Sequence, residues 1–212
     1  IYGIHDIKQG KGLDIIPSIT MASNENYVTG VSNQRFDPSL NVFYKLSPNL
    51  TGALTLNTDF SATEVDNRQV NLSRFSLFFP EKRDFFLQDV DIFSFGGLSQ
   101  NGIPFYSRRI GLGNNGQPVD IDAGVKLTGR VGDWNVGGLV VQQGDTTTLD
   151  GQNVFVGRAT AKVLSESNVG AIFTHGDPNS ENYNSVMGLD FRYQNTRFSE
   201  QHTLRGNAWY QQ

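Results

Sequence analysis

The sequence predicts an all-β protein, an antiparallel meander of long strands forming all or part of a transmembrane outer-membrane β-barrel. Three observations carry this. Apolar and polar residues alternate with period two over most of the 212 residues. The alternating runs number about ten and are roughly nine to eleven residues long, beyond the usual globular strand and matched to a tilted strand crossing a bilayer. The turns between them alternate between short and long. Composition agrees: 23 glycines and abundant Asn, Thr, Ser and Phe favour strands and turns over helices.

The clearest element is Asp120–Val131. Ile121, Ala123, Val125, Leu127, Gly129 and Val131 form an apolar or small face, opposite Asp122, Lys126, Thr128 and Arg130. Gly132-Asp133 follows as a two-residue turn, and Trp134–Gln143 runs back, a strong hairpin signal. Phe155–Leu164 repeats the pattern, with Arg158 and Lys162 on its polar side. Ser165–Asn168 turns into a strand carrying Val169, Ala171 and Phe173. In Ser185–Tyr193, Met187, Leu189 and Phe191 oppose Asp190 and Arg192. His202–Gln211 closes the series. Near the start, Leu40, Val42, Tyr44 and Leu46 alternate with polar residues. Ser47-Pro48-Asn49 turns into Leu50, Leu54 and Leu56. The longer connections, Gln143–Asn153 and Gly176–Asn182, are rich in Asp, Asn, Thr and Gly.

In a lipid-embedded barrel the apolar face meets lipid, and Lys126, Arg130, Arg158, Lys162 and Arg192 line the lumen. A soluble sandwich would bury the apolar face and put these charges in bulk water. Alternation alone does not separate the two. Strand length does favour the membrane, as do the strand-end aromatics Tyr44, Trp134, Tyr193, Trp209 and Tyr210.

Residues Asn57–Gly111 break the meander and read as an insert or plug. Gln69–Phe86 packs Phe75, Leu77, Phe78, Phe79, Phe85 and Phe86 around the charged turn Pro80-Glu81-Lys82-Arg83. Phenylalanines need a dry environment and the charges a polar one. Across the insert, acids (Asp59, Glu64, Asp66, Glu81, Asp84, Asp89, Asp91) nearly balance bases (Arg68, Arg74, Lys82, Arg83, Arg108, Arg109). Two readings follow. One is a salt-bridged insert folded against the basic stripe. The other is a glycan hydrolase using paired carboxylates, Glu64 with Asp66 or Glu81 with Asp84. The first is favoured, because balanced charge points to mutual neutralisation.

Several motifs resemble one bacterial family: Asn57-Thr58-Asp59-Phe60 with Glu64 and Asp66; Gln69–Phe75, which includes Arg74; Leu77–Arg83 with Phe85-Phe86-Leu87; Tyr106–Gly111; and Lys126–Arg130. That family is the uncharacterised domain that usually follows a family-9-type carbohydrate-binding module in Gram-negative envelope proteins. The resemblance spans roughly residues 40–143. It implies a secreted outer-membrane protein with a C-terminal barrel and carries no catalytic residues. The signature residues it marks are Asp59, Glu64, Asp66, Arg74, Glu81, Lys82, Arg83, Arg108 and Arg109. The chain starts at Ile1, lacks the binding module and ends Tyr210-Gln211-Gln212. It therefore reads as a single barrel domain over 1–212, or as an internal piece of a larger barrel.

Other chemistry is set aside. There is no Cys, so no disulfide or thiolate site is expected. His5, His175 and His202 share no ligand spacing, and no metal or cofactor is expected. Gly111–Gly116 precedes no helix and reads as a loop. Asp177–Asn182 lacks the full spacing of a calcium loop. A net charge of −4 and a pI near 5.3 argue against nucleic-acid binding. The expected partners are outer-membrane lipid and, through the missing module, glycans. The expected location is the bacterial outer membrane. The expected role is a channel or transporter, or an anchor for the binding module. A glycan hydrolase and a soluble glycan-binding sandwich are the alternatives.

Overall fold

A computed structural model describes residues 12–26, 30–58, 78–113, 119–145, 150–180, 184–199 and 202–212. Among these residues, nine strands form one open antiparallel sheet in strict sequence order. They are β1 (Leu13–Asn26), β2 (Val31–Ser47), β3 (Leu50–Thr58), β4 (Ile121–Val131), β5 (Trp134–Gln143), β6 (Asn153–Val163), β7 (Ser167–His175), β8 (Ser185–Ser199) and β9 (His202–Gln211). Among the described residues, helix is confined to one turn, α1 (Asp84–Leu87), and two short 3₁₀ turns, Val90–Phe93 and Ser107–Arg109. The meander is the expected one. The strand absent from the sequence reading is β1, where Pro17 and a run of polar residues mask the alternation of Leu13, Ile15, Ile19 and Met21.

Connections at one end of the sheet are 48–49, 132–133, 164–166 and 200–201. Those at the other end are 27–30, 59–120, 144–152 and 176–184. Because neighbouring strands are antiparallel, short and long connections segregate to opposite ends. Gly132, at φ 61, supplies the positive φ that the tight β4–β5 turn needs.

The register defines two faces with opposite exposure. One row of side chains runs Ile15, Val42, Leu54, Val125, Val140 and Phe155 across β1–β6. A second runs Leu50, Gly129, Val136, Ala159, Ala171, Leu189 and Tyr210 across β3–β9. Among the described residues nothing covers this bare face, and Val125, Phe155, Met187 and Leu189 on it are exposed. Residues of the 59–120 connection pack on the other, covered face. Its rows include Phe43, Ala53, Lys126, Leu139 and Val156, and Thr51, Thr128, Gly137, Arg158, Ile172 and Gly188. Adjacent residues show the inversion: Val125 is 56% exposed and Lys126 only 2%.

One expectation about facing is corrected. A register shift between Ile121 and Ala123 lets Ile121 join Gly124 on the covered side, fully buried, instead of sharing a face with Val125. Trp209 shares the polar side of β9 with Arg205 and Asn207, as the alternation expects, and lies on the covered face with its ring 6.4 Å from that of Phe95.

Candidate functional site: the insert on the covered face

The described part of the insert is built from the charged turn that opens it. Arg83 donates from Nε to Glu81 Oε1 at 2.9 Å and from Nη2 to Glu81 Oε2 at 2.8 Å. It also reaches the far end of the insert, donating to the carbonyl oxygens of Ser107 and Ile110, both at 2.8 Å. The Ser107 hydroxyl donates to Glu81 Oε2 at 2.6 Å. Tyr106 completes the closure: its hydroxyl donates to the Phe79 carbonyl at 2.6 Å and accepts from the Phe79 N–H at 2.9 Å. The Arg83 guanidinium lies 4.1 Å from the centroid of the Phe86 ring. Pro80–Arg83 and Tyr106–Ile110 are thus the two halves of one clasp. Planar, forked Arg suits this role, since its donors satisfy a carboxylate and two carbonyls together.

Burial alone would push the Glu81 carboxyl up. The hydrogen bond and charge of Arg83, with the Ser107 hydroxyl and the Arg83 N–H, outweigh it and hold Glu81 below the usual carboxylate range. A general acid needs the opposite shift. Every oxygen of Glu81 is committed to the clasp, so the paired-carboxylate reading of Glu81 and Asp84 loses its acid. Asp84 sits apart, exposed, in the first turn of α1. Among the described residues no cluster of His, Asp and Glu has the arrangement of a metal site.

Three phenylalanines dock the clasped insert onto the sheet, each over a glycine. A Cβ placed on Gly124 would lie 3.1 Å from Phe85, one on Gly137 3.0 Å from Phe93, and one on Gly188 2.6 Å from Phe95. The glycines act as recesses that bring ring and backbone together. Phe85, Phe86, Phe93, Phe95 and Ile110 join Leu139, Val141, Val156 and Ile172 in the buried core. The dry environment demanded by the phenylalanines is therefore the seam between insert and sheet.

Polar side chains of the covered face fasten the same seam. The Lys126 ammonium donates to the carbonyl oxygens of Phe85 and Gln88 at the end of α1. Thr128 donates to Asp89 Oδ2 at 2.7 Å. Asp89 sits in the left-handed region, at φ 56, where the chain leaves α1. Arg158 forms a forked pair with Asp190, at 2.6 and 2.9 Å, and Asp190 accepts from the Gly96 N–H at 3.1 Å. Gln143 accepts from the Gly111 N–H, and Gln211 donates to the Gly102 carbonyl.

The five basic residues expected on one face do share it, and they divide in two. Lys126 and Arg158 are buried beneath the insert and bonded to it or to Asp190. Arg130, Lys162 and Arg192 lie towards the short-turn end and are exposed. Of the signature residues, Glu81 and Arg83 form the clasp, with Lys82 inside it and Arg108 and Arg109 in its 3₁₀ turn. Asp59, Glu64, Asp66 and Arg74 lie outside the described residues. Sequence reasoning gave no site role to Asp89, Ser107, Thr128 or Asp190: Asp89 stood only among the insert's acids, Ser107 and Thr128 within motifs, and Asp190 beside Arg192 on a polar strand face.

The described residues thus form a sheet on whose polar face the insert, from 78 to 111, is clasped on itself and docked. A family described as a domain of unknown function (DUF5916) matches residues 12–134, and the chain belongs to it. The match takes in β1–β4 and the whole insert. It begins earlier than the motifs that suggested a family resemblance. Neither the curated proteins nor the solved structures gave a match to the chain.

Proposed function

We propose that the nine strands are part of the wall of a β-barrel in the bacterial outer membrane, with the bare face towards lipid and the insert inside as a plug. The inverted pair Val125 and Lys126 carries this reading. In water, each fully exposed Val, Leu, Ile or Phe forgoes roughly 1.5–3 kcal/mol of burial. The bare face repeats that loss along row after row. Lipid removes the penalty, and the polar face then belongs to an interior where lysine and arginine find partners. Segregated short and long connections support the same placement.

Between conduit and anchor, the insert favours a barrel closed at rest. It covers the centre of the polar face, binds Lys126 and sets the Phe95 ring 5.6 Å from Arg158, which pairs with Asp190; these are two of the five charges an open basic lumen would present. A closed barrel suits an anchor for an attached module, and the resemblance suggests a carbohydrate-binding one. The hydrolase alternative has lost Glu81 to the clasp. The soluble-sandwich alternative needs a cover for the bare face.

The test is the lipid requirement of folding. The chain should acquire protease-resistant strand structure in phospholipid vesicles or detergent micelles and should aggregate in plain buffer. A folded monomer in buffer without detergent would refute the membrane reading.

A further inference from the structure

A cavity of about 290 Å³ lies between the tip of the insert and the covered face, on the short-turn side of the docking seam. One wall is insert, Asp91 to Gly97. The other is sheet, with Asn135, Thr160, Asn168 and Arg192 beside the Arg158–Asp190 pair. That pair is internally neutral, since both Asp190 oxygens are committed to Arg158. Two charges remain, one on each side: Arg192 on β8 and Asp91 on the insert. Among the described residues neither has an ion-pair partner. Between them stand amides and a hydroxyl, which both donate and accept.

The approach to the cavity is not neutral. Arg130, Lys162 and Arg192 occupy the last rows of the covered face before the short turns, and Arg205, paired with Gln194, extends them onto β9. Asp190 is the acid in those rows, and it is already paired; Asp133 and Glu166 lie in the turns beyond them, Glu166 bonded to Thr196. A cluster of one sign at the mouth of a recess raises the local concentration of opposite charge.

The geometry points to a binding site for a small carboxylate-bearing solute that carries a donor group at its other end. Arg192 takes the carboxylate, Asp91 accepts from the donor, and Asn135, Thr160 and Asn168 hold the polar middle. A lone oxyanion would leave Asp91 facing it, and an uncharged solute would leave both charges unanswered. The donor can be an ammonium, as in an amino acid or short peptide, or hydroxyls, as in a sugar acid. This inference rests on the barrel reading only in taking the covered face as a solute-facing interior.

Isothermal titration of the micelle-folded chain with glycylglycine, glucuronate and glucose tests it. At least one of the two carboxylates should saturate a single site that glucose does not fill. Arg192→Gln should weaken that binding by roughly tenfold or more, the loss expected for a charge-assisted hydrogen bond. Arg192 is exposed and outside the docking seam, so this variant should fold. Asp91→Asn should weaken glycylglycine selectively if the donor is an ammonium and should spare glucuronate if it is a hydroxyl. The site is refuted if neither carboxylate saturates, if glucose binds equally well, or if Arg192→Gln leaves the titration unchanged. Each of these results is read on chain already folded in micelles, so this site can fail while the barrel stands.

Discussion

Val125 and Val131 on β4 provide a matched pair of probes. Both lie on the bare face, and they are 56% and 55% exposed. If that face met water, Arg at either position would change stability by no more than about 0.5 kcal/mol, and equally. Lipid predicts a gradient. Val125 lies mid-strand and Val131 borders the Gly132-Asp133 turn, so six residues at about 3.3 Å each separate them by roughly 20 Å along the strand. A tilt near 40° turns that into about 15 Å of depth, close to half the hydrocarbon thickness. Val125→Arg should therefore cost about 2–4 kcal/mol, and Val131→Arg about 0–1 kcal/mol. The assay is equilibrium unfolding by guanidinium in phospholipid vesicles, followed by tryptophan fluorescence. Equal costs at the two positions would refute the argument, whatever their size.

Other outcomes follow from the insert. Gly188→Ala places a methyl where Phe95 lies and should destabilise docking by about 1–3 kcal/mol, seen as faster proteolysis within 84–110 while the sheet persists. Arg83→Ala strands the buried Glu81 carboxylate and should cost about 3–5 kcal/mol, whereas Arg83→Ala with Glu81→Gln should recover part of that loss in a double-mutant cycle. The same pair sets a pH dependence. Because the folded protein holds Glu81 below the usual range, its contribution is complete above the unfolded-state value of about 4.3 and fades as pH falls through the lower folded value. Protection of the insert from an acid-active protease should hold at pH 6, decline below about 4, and lose that dependence in Glu81→Gln.

The strands were legible because period-two alternation is local: Trp134–Gln143 and His202–Gln211 are β5 and β9 to the residue. Which face was which was not legible, because alternation is the same whether the apolar side is in or out. The clue lay in Gly124, Gly137 and Gly188 on the polar face, which make sense only with Phe85, Phe93 and Phe95 above them. The shift at Ile121 depends on a partner strand further along the chain. So does the clasp. Glu81 and Arg83 are two residues apart, but they acquire a structural role only when Ser107 and Ile110 return to them. The charge balance of the insert signalled neutralisation. It did not say that the basic stripe would divide into two buried residues and three exposed ones.

The central claim is that the bare face meets lipid, and the absence of Cys makes a direct measurement simple. Val125→Cys and Lys162→Cys variants would each carry one environment-sensitive fluorophore, on the bare and covered faces respectively. In vesicles, the label at 125 should be quenched by lipids bearing a spin label on the acyl chain and shielded from iodide in the water. The label at 162 should respond to iodide and ignore the lipid quencher. Iodide quenching at 125 as strong as at 162, with no effect of the lipid quencher, would contradict the account.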